Sequence, residues 1–86
     1  MTINLTSQNR TSQATIPHGT KKITLTVSRE KCSDVLLECV DLEGKAKGKP
    51  LNKYLPGFPT KGKIAQLRFI MNDFSVKPIE ITLIFK

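Results

Sequence analysis

The feature that most constrains the fold of this chain is an alternation of apolar and polar residues with a period of two. Between residues 22 and 28, every second residue is Ile, Leu or Val, and the residues between them are Lys, Thr or Ser. After Pro78 the pattern returns over residues 79–86, where only Ile84 interrupts the polar set. Because successive side chains of a strand point to opposite faces, both segments are predicted to be half-buried β-strands. Their predicted core residues are Ile23, Leu25, Val27, Ile79, Ile81, Leu83 and Phe85.

Three further segments extend the β-rich pattern. Residues 64–71 alternate in the same way, and although two turns of helix would tolerate this composition, the neighbouring segments favour a strand. Residues 35–40 are apolar on both faces apart from Glu38, which is typical of an inner strand. The first sixteen residues are rich in Thr, Ser, Asn and Gln and predict one or two edge strands. The alternating apolar residues are Ile3, Leu5, Ala14 and Ile16 in the first sixteen residues, and Ala65, Leu67, Phe69 and Met71 in residues 64–71.

These segments together predict an all-β protein. The chain has 86 residues, which suits one small β domain over residues 1–86, because a second independent core would not fit in that length. Turn signals recur between the segments at a spacing typical of a sandwich or a small barrel. We therefore expect a small antiparallel β-sandwich, jelly-roll-like, or a compact barrel, with about six to seven strands.

Residues 44–63 differ in composition from the rest of the chain. They include six Lys residues and no acid, in a chain whose formal net charge is +7. They also hold three of the five Pro residues and four of the five Gly residues. This composition predicts a long exposed loop or an irregular edge, restrained by proline. Since an excess of positive charge favours anionic partners, this Lys/Pro/Gly-rich loop is the expected functional surface.

Within this loop, lysines alternate with other residues. Lys45, Lys47 and Lys49 would project to one side of an extended segment, a spacing suited to successive phosphates. Tyr54 and Phe58 could offer stacking surfaces for bases, or could equally anchor the loop onto the sheet. The residues predicted to bind an anion or a partner are Lys45, Lys47, Lys49, Lys53, Tyr54, Phe58, Lys61 and Lys63.

The sequence offers little for catalysis or metal binding. The one histidine, His18, lies in a Pro-Gly turn and is predicted to be a turn residue. The spacing of Cys32 and Cys39 fits no common zinc pattern, and two cysteines do not make a disulfide framework, so Cys39 is expected in the core and Cys32 in a loop. The Gly- and Lys-rich run at 44–49 lacks the spacing of a phosphate-binding loop. We expect no catalytic residues, no metal, no cofactor and no enzymatic activity.

The sequence also bears on location. No apolar run approaches the roughly 20 residues that cross a bilayer, and the first residues lack the charged and apolar regions of a signal peptide. We therefore expect no membrane partner and no secretion by a signal peptide.

One stretch, covering about a quarter of the chain, carries a family resemblance. Residues 16–28 read Ile-Pro-His-Gly-Thr-Lys-Lys-Ile-Thr-Leu-Thr-Val-Ser and are followed by Asp-Val-Leu-Leu at 34–37. This stretch resembles the Ile-Pro-x-Gly-x-Lys-x-Ile-x-Val strand entry of β-sandwich segments in bacteriophage tail and fibre proteins. The resemblance implies a virion component without enzymatic activity.

Two functions follow as expectations. The first is a phage-type structural or assembly protein, a β-sandwich subunit that forms a homo-oligomer or packs against other virion subunits, located in the virion or in the host cytoplasm before assembly. The alternative is a small basic protein of the OB type that binds single-stranded nucleic acid through the Lys-rich loop.

Overall fold

The computed structural model describes residues 1–29, 31–72 and 77–86. Within these ranges it contains eight β-strands: β1 (Thr2–Leu5), β2 (Thr11–Thr15), β3 (Lys22–Val27), β4 (Val35–Asp41), β5 (Ala46–Pro50), β6 (Gly57–Pro59), β7 (Ile64–Met71) and β8 (Ile79–Phe85). One turn of 3₁₀ helix, Leu51–Lys53, follows β5 and is the helical element of the described ranges.

The strands form two four-stranded antiparallel sheets that pack face to face. The strand order is β1-β8-β3-β6 in one sheet and β2-β7-β4-β5 in the other. This order, in which the chain passes repeatedly between the sheets, is that of an eight-stranded jelly roll. The prediction of a small antiparallel β-sandwich is confirmed, and the sandwich rather than the barrel is observed.

The core lies between the sheets and is built from the alternating residues. Ile23 and Leu25 of β3 pair in register with Phe85 and Leu83 of β8, so that their side chains share the inner face. The side chains of Ile23, Leu25, Ile79, Ile81 and Leu83 are buried, and those of Val27 and Phe85 pack against them. The predicted core residues of the two alternating segments therefore do share one core. Burying such side chains is the main favourable term in the folding of a domain of this size.

The less certain strand predictions are also confirmed. Residues 64–71 form β7 with Leu67, Phe69 and Met71 buried. β4 lies between β7 and β5, as predicted for an inner strand. The first sixteen residues form β1 and β2, which are edge strands of different sheets.

The strand count is higher than the expected six to seven, because residues 44–63 are not a long loop. They contribute β5 and β6, which lie at the edges of opposite sheets. Pro50 and Pro59 are compatible with this position, because the edge of a sheet tolerates a residue without a backbone N–H group. The alternative expectation for this segment, an irregular edge, describes it better.

Candidate interaction surfaces

The lysines of residues 44–63 are divided among four places. Lys47 and Lys49 lie on β5, where they pair with Cys39 and Leu37 of β4. Lys53 lies in the 3₁₀ turn after β5. The remaining three lie in two turns: Lys45 before β5, and Lys61 and Lys63 between β6 and β7. The predicted site is therefore not one surface, because the strands of this segment belong to different sheets.

Lys45 closes the hairpin between β4 and β5. Its backbone carbonyl accepts a hydrogen bond from Asp41 N at 2.9 Å, and its backbone N–H donates to Asp41 Oδ1, also at 2.9 Å. Its ammonium group lies 3.9 Å from Glu43 Oε2, and both side chains are exposed. An exposed pair of this kind contributes little to stability, but it reduces the net charge of this turn.

Tyr54 lies in the segment that crosses from β5 to β6, and Phe58 lies on β6, opposite Ile23 of β3. Their ring centroids are 4.9 Å apart with the planes inclined by 54°. Both side chains are half-buried and pack against the core. Burial, together with the hydrogen bond to the Cys39 thiol, raises the pKa of Tyr54 to about 12. The rings therefore anchor this crossing segment to the sandwich, which was one of the two roles considered for them.

Cys39 belongs to the same cluster. Its side chain is only partly buried and packs against the margin of the core, whereas the sequence predicts a core residue. Burial raises the pKa of its thiol, and the hydrogen bond with Tyr54 and the charge of Lys49 oppose this shift. Lys49 thus lies near a thiol and a phenol, both of which stay neutral at physiological pH.

Lys61 and Lys63 join lysines from distant parts of the sequence at one end of the sandwich. The backbone N–H of Thr60 bonds to Lys21 O at 3.0 Å, and the N–H of Lys21 bonds to Lys86 O at 2.8 Å. We call this end, with its five lysines, the basic end. Among the described residues, no carboxylate forms an ion pair with any of these five ammonium groups. The lysines of the basic end are Lys21, Lys22, Lys61, Lys63 and Lys86.

An open cleft of about 740 Å³ lies at the basic end. It is formed by the turn at residues 16–21, the tip of the β4–β5 hairpin at Leu42, and the turn between β6 and β7. The cleft holds three basic side chains, and its walls contain no Asp or Glu among the described residues. His18 therefore lines a cleft, which the turn assignment alone did not reveal. The basic side chains that line it are His18, Lys21 and Lys61.

The outer face of the β2-β7-β4-β5 sheet carries several apolar side chains, the large ones half-buried. Because Val35 and Leu37 point into the core, the alternate residues of β4 point outward. Leu36 pairs with both Ile70 of β7 and Pro50 of β5, which makes one apolar row across three strands. A second row pairs Val40 with Ala46. We call this surface the outer apolar face.

A charged pair lies between these two rows. Glu38 of β4 is opposite Arg68 of β7, and Arg68 Nη2 donates to Glu38 Oε2 at 3.4 Å. On the other side of Glu38, the paired residue is Gly48 of the edge strand β5. Because Gly48 has no side chain, the face is flat at this edge. A shallow depression of about 380 Å³ adjoins the pair on the β2 side, between Gln13 and Ile70. The outer apolar face is therefore flat, nearly neutral and bordered by a recess.

The outer face of the opposite sheet is different. Thr24 and Thr26 of β3 pair with Ile84 and Thr82 of β8, and Thr82 pairs in turn with Thr2 of β1. Hydroxyl groups dominate this face, as expected for a strand surface that contacts water. Ile84, which interrupted the polar pattern in the sequence, is exposed here.

The cysteines and possible metal ligands are dispersed. Cys32 lies in the connection between β3 and β4, but its side chain is buried in the core. Burial raises the pKa of its thiol, an effect that the charge of nearby Arg29 opposes. Neither Cys32 nor Cys39 is in a disulfide. In the part of the chain that the structure describes, no group of three or more His, Cys, Asp or Glu side chains is arranged to hold a metal ion.

Sequence reasoning missed two of these surfaces. The basic end was missed because Lys21, Lys22 and Lys86 lie far from residues 44–63 in sequence. The outer apolar face left a signal: Leu36, Val40 and Ile70 are apolar residues in the outward phase of their strands. In residues 35–40 the apolar residues on both faces predict an inner strand, which β4 is, and the sequence analysis makes no prediction from Ile70.

No protein family matches the sequence, and no curated protein matches it significantly. Over the described residues, no helix is long and apolar enough to cross a membrane.

Proposed function

We propose that this protein is a non-enzymatic structural or assembly subunit of a phage-type virion, which packs against copies of itself or other virion subunits through the outer apolar face. The observation that carries the proposal is the contrast between the two outer faces of the sandwich. One is hydroxyl-rich, whereas the other carries rows of partly exposed apolar side chains around an internally neutralised Glu–Arg pair. Contiguous exposed apolar surface commonly marks a site of protein contact.

Electrostatics favours the same face. Copies of a chain with a net charge of +7 repel one another, and this repulsion is weakest where surfaces carry paired charges. In a two-fold contact, Glu38 of one copy can also approach Arg68 of another. The outer apolar face therefore offers both apolar area and self-complementary charge.

The size of the face fits an assembly with several contacts per subunit. The face has four strands spaced by about 4.8 Å, and each strand contributes about five residues that rise by about 3.4 Å per residue. Its area is therefore roughly 300 Å². A stable pairwise interface needs about 800 Å² per partner. One such contact is weak, but weak contacts suffice when a subunit has several neighbours in a shell or fibre.

The fold and the sequence resemblance support the viral setting. Jelly rolls build viral capsid subunits, although lectins and cupins also use them, so that topology alone does not assign function. The resemblance of residues 16–28 to phage tail and fibre segments favours the structural role. We place the protein in the virion, and in the host cytoplasm before assembly.

Sedimentation and native mass spectrometry over a range of protein concentrations test the proposal. We expect concentration-dependent self-association that Ile70→Lys abolishes. Ile84→Lys is the matched control, because Ile84 lies on the outer face of a central strand in the opposite sheet. A chain that stays monomeric at millimolar concentration, or that responds equally to both substitutions, would contradict homotypic packing.

Binding of single-stranded nucleic acid is the second candidate. The observation in its favour is that β5 places Lys47 and Lys49 on one side of an edge strand, beside the half-buried pair Tyr54 and Phe58. If it binds there, Lys47→Ala with Lys49→Ala should weaken oligonucleotide binding and reduce the salt slope by about one unit for each phosphate that the protein no longer neutralises. Lys61→Ala with Lys63→Ala is the charge-matched control. Submicromolar oligonucleotide binding by a monomer in physiological salt would favour this function over the structural one.

A further inference from the structure

We propose that the cleft at the basic end binds an extended peptide segment of another protein, in which an apolar side chain is flanked by carboxylates. This inference concerns a different surface from the outer apolar face and goes beyond the proposed function.

The walls of the cleft form an apolar binding surface. Ile16 and Ile64 are half-buried, and Pro17 and Pro59 flank them. Leu42 projects from the hairpin tip with 72% of its surface exposed, the highest exposure among the large hydrophobic side chains described. Covering these side chains with an apolar group of a partner would remove their surface from water, which is favourable in proportion to the area buried.

The lysines around this apolar surface favour an acidic partner. Lys21 and Lys61 line the cleft, and no described carboxylate pairs with either. Asp34 and Glu38 are paired elsewhere, with Arg29 and Arg68, and Glu43, which follows Leu42 at the hairpin tip, is paired with Lys45. Among the described residues, the lysines of the basic end therefore have no ion-pair partner and can attract an anion.

The composition of the walls favours a peptide over a nucleic acid. Single-stranded nucleic acids bind where aromatic side chains stack on successive bases. Among the described residues that line the cleft there is no Phe, Tyr or Trp, because the rings of Tyr54 and Phe58 pack against the core instead. Aliphatic walls between lysines instead fit an apolar side chain with acidic neighbours.

A random-peptide display library screened against the purified protein tests this inference. We expect enriched peptides to contain Asp or Glu on one or both sides of an aliphatic or aromatic residue. Lys21→Glu with Lys61→Glu should weaken binding of such a peptide by about tenfold or more, and Leu42→Ser should weaken it without changing its salt dependence. Lys47→Glu with Lys49→Glu is the control with the same change in net charge, and it should leave binding unchanged.

Each other outcome overturns the proposal. These outcomes are no enrichment, enrichment of peptides without acids, equal weakening in the two double variants, and a single-stranded oligonucleotide that displaces the peptide and binds the cleft more tightly. Circular dichroism of each variant confirms that it is folded before its binding is compared. Self-association separates this inference from the proposed function, because Ile70→Lys should abolish association while peptide binding persists.

Discussion

Glu38 and Arg68 occupy opposed positions on β4 and β7, with their charged groups 3.4 Å apart on the outside of the sandwich. The pair lies between two apolar rows, and its Arg side chain is nearly half exposed. A cross-strand pair in this setting adds modestly to stability. Its larger effect is on the surface, since it leaves the outer apolar face without net charge.

Reversing one member of this pair should therefore affect association more than folding. Arg68→Glu places two carboxylates opposite each other and should cost about 1 kcal/mol or less of unfolding free energy, while abolishing self-association. Combining it with Glu38→Arg should restore both properties. Urea denaturation and sedimentation of the two single variants and the double variant provide the measurement. Failure of the double variant to recover association would show that the charge pair does not face a second copy.

The shared core makes a prediction about stability. Leu25 and Leu83 are paired in register and almost completely buried, so that replacing either by Ala should cost roughly 2–5 kcal/mol. Ile84→Ala on the exposed side of β8 should change the unfolding free energy by about 0.5 kcal/mol or less. Chemical denaturation followed by circular dichroism distinguishes the two cases. Similar destabilisation for Leu83 and Ile84 would mean that the register of β8 is wrong.

The phenol of Tyr54 should be observable by titration. It is the only tyrosine in the chain, and its pKa of about 12 lies above the ordinary value of 10.0 because of burial and the bond to Cys39. Since the folded state holds the proton more tightly, the contribution of Tyr54 to stability is complete below about pH 10 and disappears as the pH rises toward about 12. Absorbance titration of the phenolate measures the pKa directly.

Tyr54→Phe serves as the control for this titration. It removes the absorbance change and should reduce the fall in stability across the same pH interval. Ionisation of the wild-type phenol at its ordinary pKa in the folded protein would contradict the buried, hydrogen-bonded position of the ring.

Gly57 should be intolerant of a side chain. It pairs with Thr24 across β6 and β3, and a Cβ there would collide with the backbone carbonyl of Ile23. Gly57→Ala should therefore cost about 1–3 kcal/mol, because the backbone of an edge strand must shift to accept it. At Gly48 on β5 a Cβ would meet only side-chain atoms of Glu38 and Leu36, at 3.1 and 3.2 Å. Gly48→Ala should thus be the milder variant in the same denaturation assay.

The sequence predicts most of the fold because each strand has a local pattern. Ile23, Leu25 and Val27 identify β3 without reference to any other strand, and the same holds for the alternating residues of β8. The edge strands β5 and β6 have no such pattern: β5 is exposed along its whole length, and β6 has three residues. A strand that is not covered on either face needs no apolar alternation, and composition alone then indicates a loop.

The candidate sites depend on contacts that no local pattern encodes. Lys21 and Lys61 meet because β3 pairs with β6, a pairing fixed by the order of strands in the sheet. The alternation of Lys47 and Lys49 is local, and their shared side of β5 could be predicted. Their separation from Lys61 could not, because it depends on which sheet each strand joins.

The strand order has a kinetic consequence. Among the strands that the structure describes, only β4 and β5 are neighbours both along the chain and in a sheet. Every other pairing joins distant segments, and β1 pairs with β8 across nearly the whole chain. Since the entropy of closing long loops must be overcome before such pairings form, chains dominated by them fold in roughly milliseconds to seconds. Among the described strands, the β4–β5 hairpin, which carries Leu42 at its tip, closes the shortest loop, and every other strand pairing must close a longer one.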